Sequence, residues 1–168
     1  TMPFANFILD DVVCNLEEFT AVNTSTGAIS YEWFIDNNST STDVDFLNSF
    51  NEPSIPVVNS VQHDVRLIAT DINGCTDTLT VPIIVSTPIV DFTYTLSGAN
   101  VNGAGEFTCP PVFSGFTDNS ESYGTVTNWN WVFGDGKTST LQHPNNTYVF
   151  AGSYTLNLSI VDEYGCTS

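Results

Sequence analysis

Apolar and polar residues alternate in short runs along this chain. Tyr154, Leu156, Leu158 and Ile160 are interleaved with Thr155, Asn157 and Ser159. Trp129, Trp131 and Phe133 form a second run, Val65, Leu67 and Ala69 a third, and Leu79, Val81, Ile83 and Val85 a fourth. A period of two puts successive side chains on opposite faces of an extended strand, so each run predicts a half-buried β-strand. Pro82 falls on the opposite face of the fourth run. It suits a sheet edge, because proline has no N–H to give to a ladder. No stretch carries a convincing 3.6-residue period. Short strands at regular spacing, with Gly, Asn and Asp between them, predict an all-β chain of sandwich architecture.

The pattern occurs twice. "MPFANF" (2–7) returns as "TPIVDF" (87–92), and "YEW" (31–33) as "WNW" (129–131). "VRLIATDINGC" (65–75) returns as "LNLSIVDEYGC" (156–166). Cys14 precedes Ser25 by the same interval as Cys109 precedes Ser120. The repeat predicts two domains, 1–86 and 87–168, joined near "VSTP" (85–88), a short proline-bearing and rather stiff linker.

Composition narrows the partners. The chain has 168 residues, enough for one large or two small domains, and 41% are hydrophobic, enough to fill a core. Arg66 and Lys137 are its basic residues, against 19 acids, for a formal net charge of −17. Nucleic acid and anionic lipid are poor partners for such a surface, and salt or divalent cations should relieve its self-repulsion. No apolar run approaches the ~20 residues of a membrane helix. Four cysteines sit in like positions of the two copies, with no His or Cys cluster. That favours disulfides in an oxidising, extracytoplasmic setting over zinc.

The second copy carries "WVFGDGKTST…HPNNTYVFAGSYTLNLSIVDEYG". This resembles a PKD domain, the immunoglobulin-like module first named in polycystins. The family pattern is Trp-x-Phe-Gly-Asp-Gly, then Pro, Tyr, Gly-x-Tyr and Asp-x-x-Gly. Trp131, Phe133, Gly134, Asp135, Gly136, Pro144, Tyr148, Gly152, Tyr154, Asp162 and Gly165 match it, and Asn146 stands where the family usually has His. The first copy follows through the repeat but has Asp36-Asn37-Asn38 in place of Gly-Asp-Gly. The resemblance implies two tandem immunoglobulin-like (PKD-type) β-sandwiches. The cysteine-flanked copies also resemble the PKD arrays of Bacteroidetes surface proteins, gliding adhesins included. About ten residues of strand follow Cys75, but only Thr167 and Ser168 follow Cys166. The second domain is therefore expected to lack its last strand, and the natural chain to continue.

Candidate chemistry is sparse. Gly134-Asp135-Gly136 follows a strand, and no helix N-terminus follows it to hold a phosphate. Glycine at positive φ and an aspartate bonding its own backbone make a tight hairpin turn. In the first copy Asn37-Asn38 is expected to take the left-handed geometry instead. His63 aligns with Tyr154 on a strand and His143 precedes Pro144 in a loop, neither at a recognisable spacing from a nucleophile, so no catalytic residue is assigned. Calcium is the candidate ligand. In an immunoglobulin-like topology the B–C loop, the F–G turn and the first strand gather at one end. There Asp91, Asn119, Glu121 and Asp162 could supply oxygens. Some PKD domains bind calcium through a longer Asp-Asp-Gly loop, where this chain has "ESYGT".

Two cysteine pairings stay open. The repeat suggests one bridge per domain, Cys14–Cys75 and Cys109–Cys166. Topology objects, since each pair spans opposite ends of a sandwich, ~20 Å apart, and bridged Cα atoms lie within ~7 Å. Head-to-tail stacking would instead bring Cys14 towards Cys166 and leave Cys75 and Cys109 for neighbouring repeats. These features predict a non-catalytic structural and adhesive segment of a secreted or cell-surface protein. Its partners would be neighbouring repeats, surface proteins or glycans, without membrane insertion. The alternative is a carbohydrate-binding accessory module of a secreted hydrolase, which exposed aromatics in a row would favour. Tyr31, Trp33, Trp129 and Trp131 lie instead on core-type strands.

Overall fold

The computed structural model describes residues 2–53, 59–97 and 110–168, and every regular element among them is a strand. Two compact units divide the chain, Thr1–Thr87 and Pro88–Ser168. Each is a pair of sheets around an aromatic core, so the architecture is two tandem immunoglobulin-like sandwiches.

In the first unit, β1 (Phe7–Ile8), β3 (Glu18–Asn23) and β6 (Phe46–Ser49) form one sheet in the order β1-β3-β6. The other sheet has the order β2-β8-β7-β4-β5, from β2 (Val12–Cys14), β4 (Ser30–Ile35), β5 (Asn38–Ser41), β7 (Ser60–Thr70) and β8 (Thr76–Ser86). Trp33 is fully buried between the sheets, with Phe7 edge-on at 5.1 Å and Phe46 stacked at 5.5 Å. Val65, Leu67 and Ala69 are fully buried, as their alternation predicts. On β8, Ile83 and Val85 reach the core while Leu79 and Val81 are half-buried against it. The β8 ladder with β2 covers Ile84–Ser86. Pro82 lies beyond it, on the stretch of β8 whose outer edge β2 leaves uncovered.

In the second unit, β9 (Phe92–Ser97), β10 (Val112–Asp118) and β13 (Asn145–Tyr148) form a sheet in the order β13-β10-β9. Facing it is β12-β11-β14, from β11 (Val126–Val132), β12 (Thr138–Ser139) and β14 (Asn157–Asp162). Trp131 repeats the role of Trp33: it is fully buried, with Phe92 edge-on at 5.3 Å. One expectation needs correction. Tyr154 and Leu156 continue the alternation of β14, yet the strand begins at Asn157. The equivalent half of β7 is held by β8. Among the described residues, the outer edge of β14 carries only the Val161–Thr167 bridge.

Candidate functional site

Gly134-Asp135-Gly136 closes the β11–β12 hairpin, whose last rung pairs Val132 with Thr138. Gly134 (φ 78°) and Gly136 (φ 89°) both take the left-handed backbone. At Gly134 a Cβ would also lie 2.6 Å from the Thr155 carbonyl oxygen, so two reasons require glycine there. Asp135 Oδ1 accepts the Lys137 N–H at 3.0 Å, the expected Asx bond. Its Oδ2 meets Lys137 Nζ at 2.9 Å and the Asn146 amide at 3.0 Å, and Lys137 Nζ donates to Thr147 O at 2.7 Å. Burial raises the Asp135 pKa, but the hydrogen bonds from Asn146 and Lys137 outweigh it and hold the carboxyl below its ordinary range. Asn146 in the usual histidine position thus joins the turn to β13. Tyr148 donates to Phe133 O at 3.0 Å, and burial pushes its phenol pKa up.

The first copy makes the same connection without glycine. Asp36 (φ 49°) and Asn37 (φ 69°) are left-handed, between the closing pair Ile35 and Asn38. The expected Asn37-Asn38 pair is thus displaced by one residue. Two consecutive positive-φ residues in a two-residue loop define a type I′ turn, whose twist matches the hairpin. Side chains secure the shift: Asp36 Oδ1 accepts the Asp64 N–H at 2.9 Å, and Arg66 donates to Asn37 Oδ1 at 3.2 Å.

The loops expected to converge do converge. Ile89 and Glu121 form a β-bridge, the Asn119 N–H donates to Asp91 O at 2.9 Å, and the Ser122 hydroxyl donates to Asp162 Oδ2 at 2.6 Å. The carboxylates among the four proposed calcium ligands, Asp91, Glu121 and Asp162, do not form a metal-holding group. Asp91, Asn119 and Glu121 are exposed, and the contacts above use backbone atoms of all three. Asp162 is buried, and its Oδ1 accepts the N–H groups of Tyr164 and Cys166, each at 2.9 Å. Asp71 does the same for Asn73 and Cys75, at 2.8 and 2.9 Å. These aspartates fold the F–G turns, which is why Asp-x-x-Gly recurs. No group of three or more His, Cys, Asp or Glu among the described residues is arranged to hold a metal.

Sequence reasoning missed Asp118, a buried carboxylate at the end of β10. Its Oδ2 takes the Trp129 indole N–H at 2.7 Å and the Gln142 amide at 3.3 Å, and its Oδ1 takes the Ser120 N–H at 3.0 Å. Burial raises its pKa, but the Ser120, Trp129 and Gln142 bonds together hold it below the ordinary value. The Asp-x-Ser spacing that opens the loop was the available signal. His143 Nδ1 accepts the Asp118 N–H at 3.1 Å. The His63 ring lies between Asp36 Oδ2 (2.5 Å) and Glu52 Oε1 (2.9 Å), stacked on Phe50.

Cys14 and Cys166 are each disulfide-bonded, whereas Cys75 is an exposed free thiol. The Cys14–Cys75 bridge, one of the two sequence alternatives, is therefore corrected. The reason is the length of β8. Cys14 pairs with Ser86 at one end of the strand, and Cys75 immediately precedes the other. At ~3.3 Å per residue the two ends stand about 35 Å apart, far beyond disulfide reach. Cys109 lies outside the described residues.

With a Trp–Phe–Gly-Asp-Gly hairpin, a tyrosine bonded back to it and an Asp-x-x-Gly turn on one sandwich, the second unit has the features of a known module. Residues 110–168 match the family model of the PKD domain. Among curated proteins, 46 residues are 41% identical to the pre-pro-metalloprotease PrtV of Vibrio cholerae serotype O1 strain M66-2, and equally to that of strain ATCC 39315. The match takes in 27% of this chain and 5% of the relative. Among solved structures, the Clostridium thermocellum CbhA fibronectin(III)-like modules align over 98% of this chain and 89% of theirs, at 10% identity and a TM-score of 0.44. Carbohydrate-binding modules of the β-sandwich superfamily align over 94% and 83%, at 15% identity and a TM-score of 0.45. No helix among the described residues is long and apolar enough to cross a membrane.

Proposed function

We propose that this chain is a load-bearing, non-catalytic segment of a secreted or cell-surface protein, extending it and contacting neighbouring repeats, surface proteins or glycans. The observation that carries this reading is the parallel seam between β2 and β8. Val12, Val13 and Cys14 pair with Ile84, Val85 and Ser86, flanked by Ile84 N–H to Asp11 O at 2.9 Å and Asn15 N–H to Ser86 O at 3.0 Å. One strand lies near the start of the unit and the other at its end. Tension on the unit's two ends draws them in opposite directions along their own axes. In parallel strands that loads the seam's hydrogen bonds together rather than one after another.

Other features support it. A PKD domain match fits a non-catalytic extracellular module. Disulfide-bonded Cys14 and Cys166 suit an oxidising compartment. The resemblance to gliding adhesins points the same way. The accessory carbohydrate module is the weaker reading, because Trp33 and Trp131 are fully buried.

Single-molecule pulling of the whole chain in reducing buffer tests the proposal. Two discrete steps are expected, one per unit. At ~3.3–3.6 Å per residue, units of Thr1–Thr87 and Pro88–Ser168 should release contours of about 300 and about 280 Å before subtracting their folded lengths. Smooth lengthening at low force, without steps, would refute a load-bearing role.

A further inference from the structure

Lys137 is the one lysine of the chain, and its ammonium has a full set of acceptors. Nζ lies 2.9 Å from Asp135 Oδ2, 3.0 Å from Asn146 Oδ1 and 2.7 Å from Thr147 O. An ammonium carries three N–H groups, so all are used. The Asn146 amide nitrogen donates to that same Asp135 Oδ2 at 3.0 Å. One carboxylate oxygen therefore touches both an amine and the nitrogen of the amide beside it. With a C=O bond of ~1.2 Å, Asn146 Cγ stands within about 4.2 Å of Nζ. That is roughly an ångström outside reacting distance.

The surroundings favour reaction. Asn146 is buried, which keeps water from Cγ and so disfavours simple hydrolysis. Holding an amine and an amide on one scaffold replaces a bimolecular encounter, at an effective molarity of ~10⁵–10⁸ M when aligned. Asp135 is a carboxylate at neutral pH, since its pKa lies below the ordinary range. It need only carry a proton from one nitrogen to the other, because both lie on the same oxygen.

We propose that Lys137 and Asn146 join in an isopeptide bond, with Asp135 as the proton carrier. Nζ passes a proton to Asp135 Oδ2, and rotation about Cε–Nζ turns the freed lone pair towards Asn146. Nζ attacks Cγ, the Nζ–Cγ bond forms, and the C=O electron pair moves onto Oδ1. Asp135 delivers its proton to Nδ2, the carbonyl re-forms, and the Cγ–Nδ2 bond breaks. Nζ gives up a second proton by the same route, so the leaving group departs as ammonium. One alkylammonium and one primary amide thus become one secondary amide and a free ammonium ion, with nothing oxidised or reduced. The bond runs between the two sheets of the second unit. Asn146 belongs to β13 in one, and Lys137 immediately precedes β12 in the other. The first unit has no lysine, so each chain holds one such bond. The proposal does not depend on the load-bearing reading.

The test is the intact mass of the full chain, reduced after the folded protein has stood at neutral pH. It should fall below the mass its sequence requires by one ammonia. Trypsin acting on the unfolded chain should cut after Arg66 but not after Lys137, whose side chain is then an amide. Chymotrypsin should leave a branched peptide, with Lys137 and Asn146 still joined although the chain is cut after Leu141 between them. Lys137→Arg should keep the full sequence mass. Asp135→Asn keeps an oxygen for the Lys137 N–H, so the turn should persist, but the bond should form at least about a hundredfold more slowly. Full sequence mass in the wild type, unimpaired cleavage after Lys137, a loss of ammonia mapped only to another asparagine, or an equal rate in Asp135→Asn would each overturn the proposal.

Discussion

The indole nitrogen of Trp131 donates to the carbonyl oxygen of Leu141 at 3.0 Å, ten residues along the chain. Trp33 makes the same bond to Asp43 at 3.1 Å, over the same interval. Each tryptophan therefore fills the core of its sandwich and ties down the loop leaving the hairpin. Trp131→Phe should keep most of the packing and lose the bond, at about 1–3 kcal/mol. Trp131→Ala should cost about 3–5 kcal/mol. Urea midpoints measure both, and a cost under about 1 kcal/mol for the alanine variant would mean that Trp131 is not core.

The two turn glycines should not be equally replaceable. Gly136→Ala meets no atom within 4 Å and suffers only its positive φ of 89°, about 1 kcal/mol. Gly134→Ala has comparable φ but drives a Cβ to 2.6 Å from the backbone of Thr155, so about 2–4 kcal/mol is expected. Thermal unfolding of the pair checks the order.

Asp118 should make stability depend on acid. Its folded pKa is depressed, so its ionised form is favoured in the native state. That contribution is complete above the unfolded carboxylate value of ~3.9 and is lost as the pH falls through the folded one. Asp118→Asn should be less stable than wild type at neutral pH by about 1–3 kcal/mol. The gap should close as the pH drops below ~4. Comparing the two proteins at each pH removes most of the general repulsion among the other acids. A gap that stays constant to pH ~2 would remove the carboxylate from this role.

For Asp162 the structure and the calcium expectation diverge. Its oxygens already accept two N–H groups and one hydroxyl. Asp162→Asn should destabilise the chain by about 1–3 kcal/mol and leave the calorimetric response to calcium unchanged. A calcium heat present in wild type and absent from the folded variant would restore the four-residue cation site.

Peptide mapping without reduction should return Cys14 and Cys166 in disulfide-linked peptides and Cys75 as a modifiable thiol. A Cys14–Cys75 linked peptide would contradict the arrangement of β2 and β8.

Much of the fold was legible because burying one face of a pleated strand imposes a period of two, as at Trp129–Phe133 and Val65–Ala69. The Gly-Asp-Gly turn was legible because few residues tolerate its backbone. Pattern alone could not place the start of β14. Tyr154 and Leu156 pack against the core without a ladder, and alternation records burial, not hydrogen bonding. The turn at Asp36-Asn37 was missed by one residue, since bonds from Asp64 and Arg66, distant in sequence, set its register. The acidic end was read as open to a cation. Sequence shows a carboxylate and not whether its oxygens are taken, as those of Asp162 and Asp118 are.

The load-bearing claim rests on the direction of the β2–β8 seam, so the most direct measurement pulls the first unit in two geometries, in reducing buffer. Handles at residues 2 and 87 shear the parallel seam. Handles at residues 60 and 86, which are paired across the end of the β7–β8 ladder, peel that ladder open one rung at a time. The first geometry should unfold at a force several-fold higher than the second. Equal forces in both would mean that the seam carries no special load, and would contradict the proposed function.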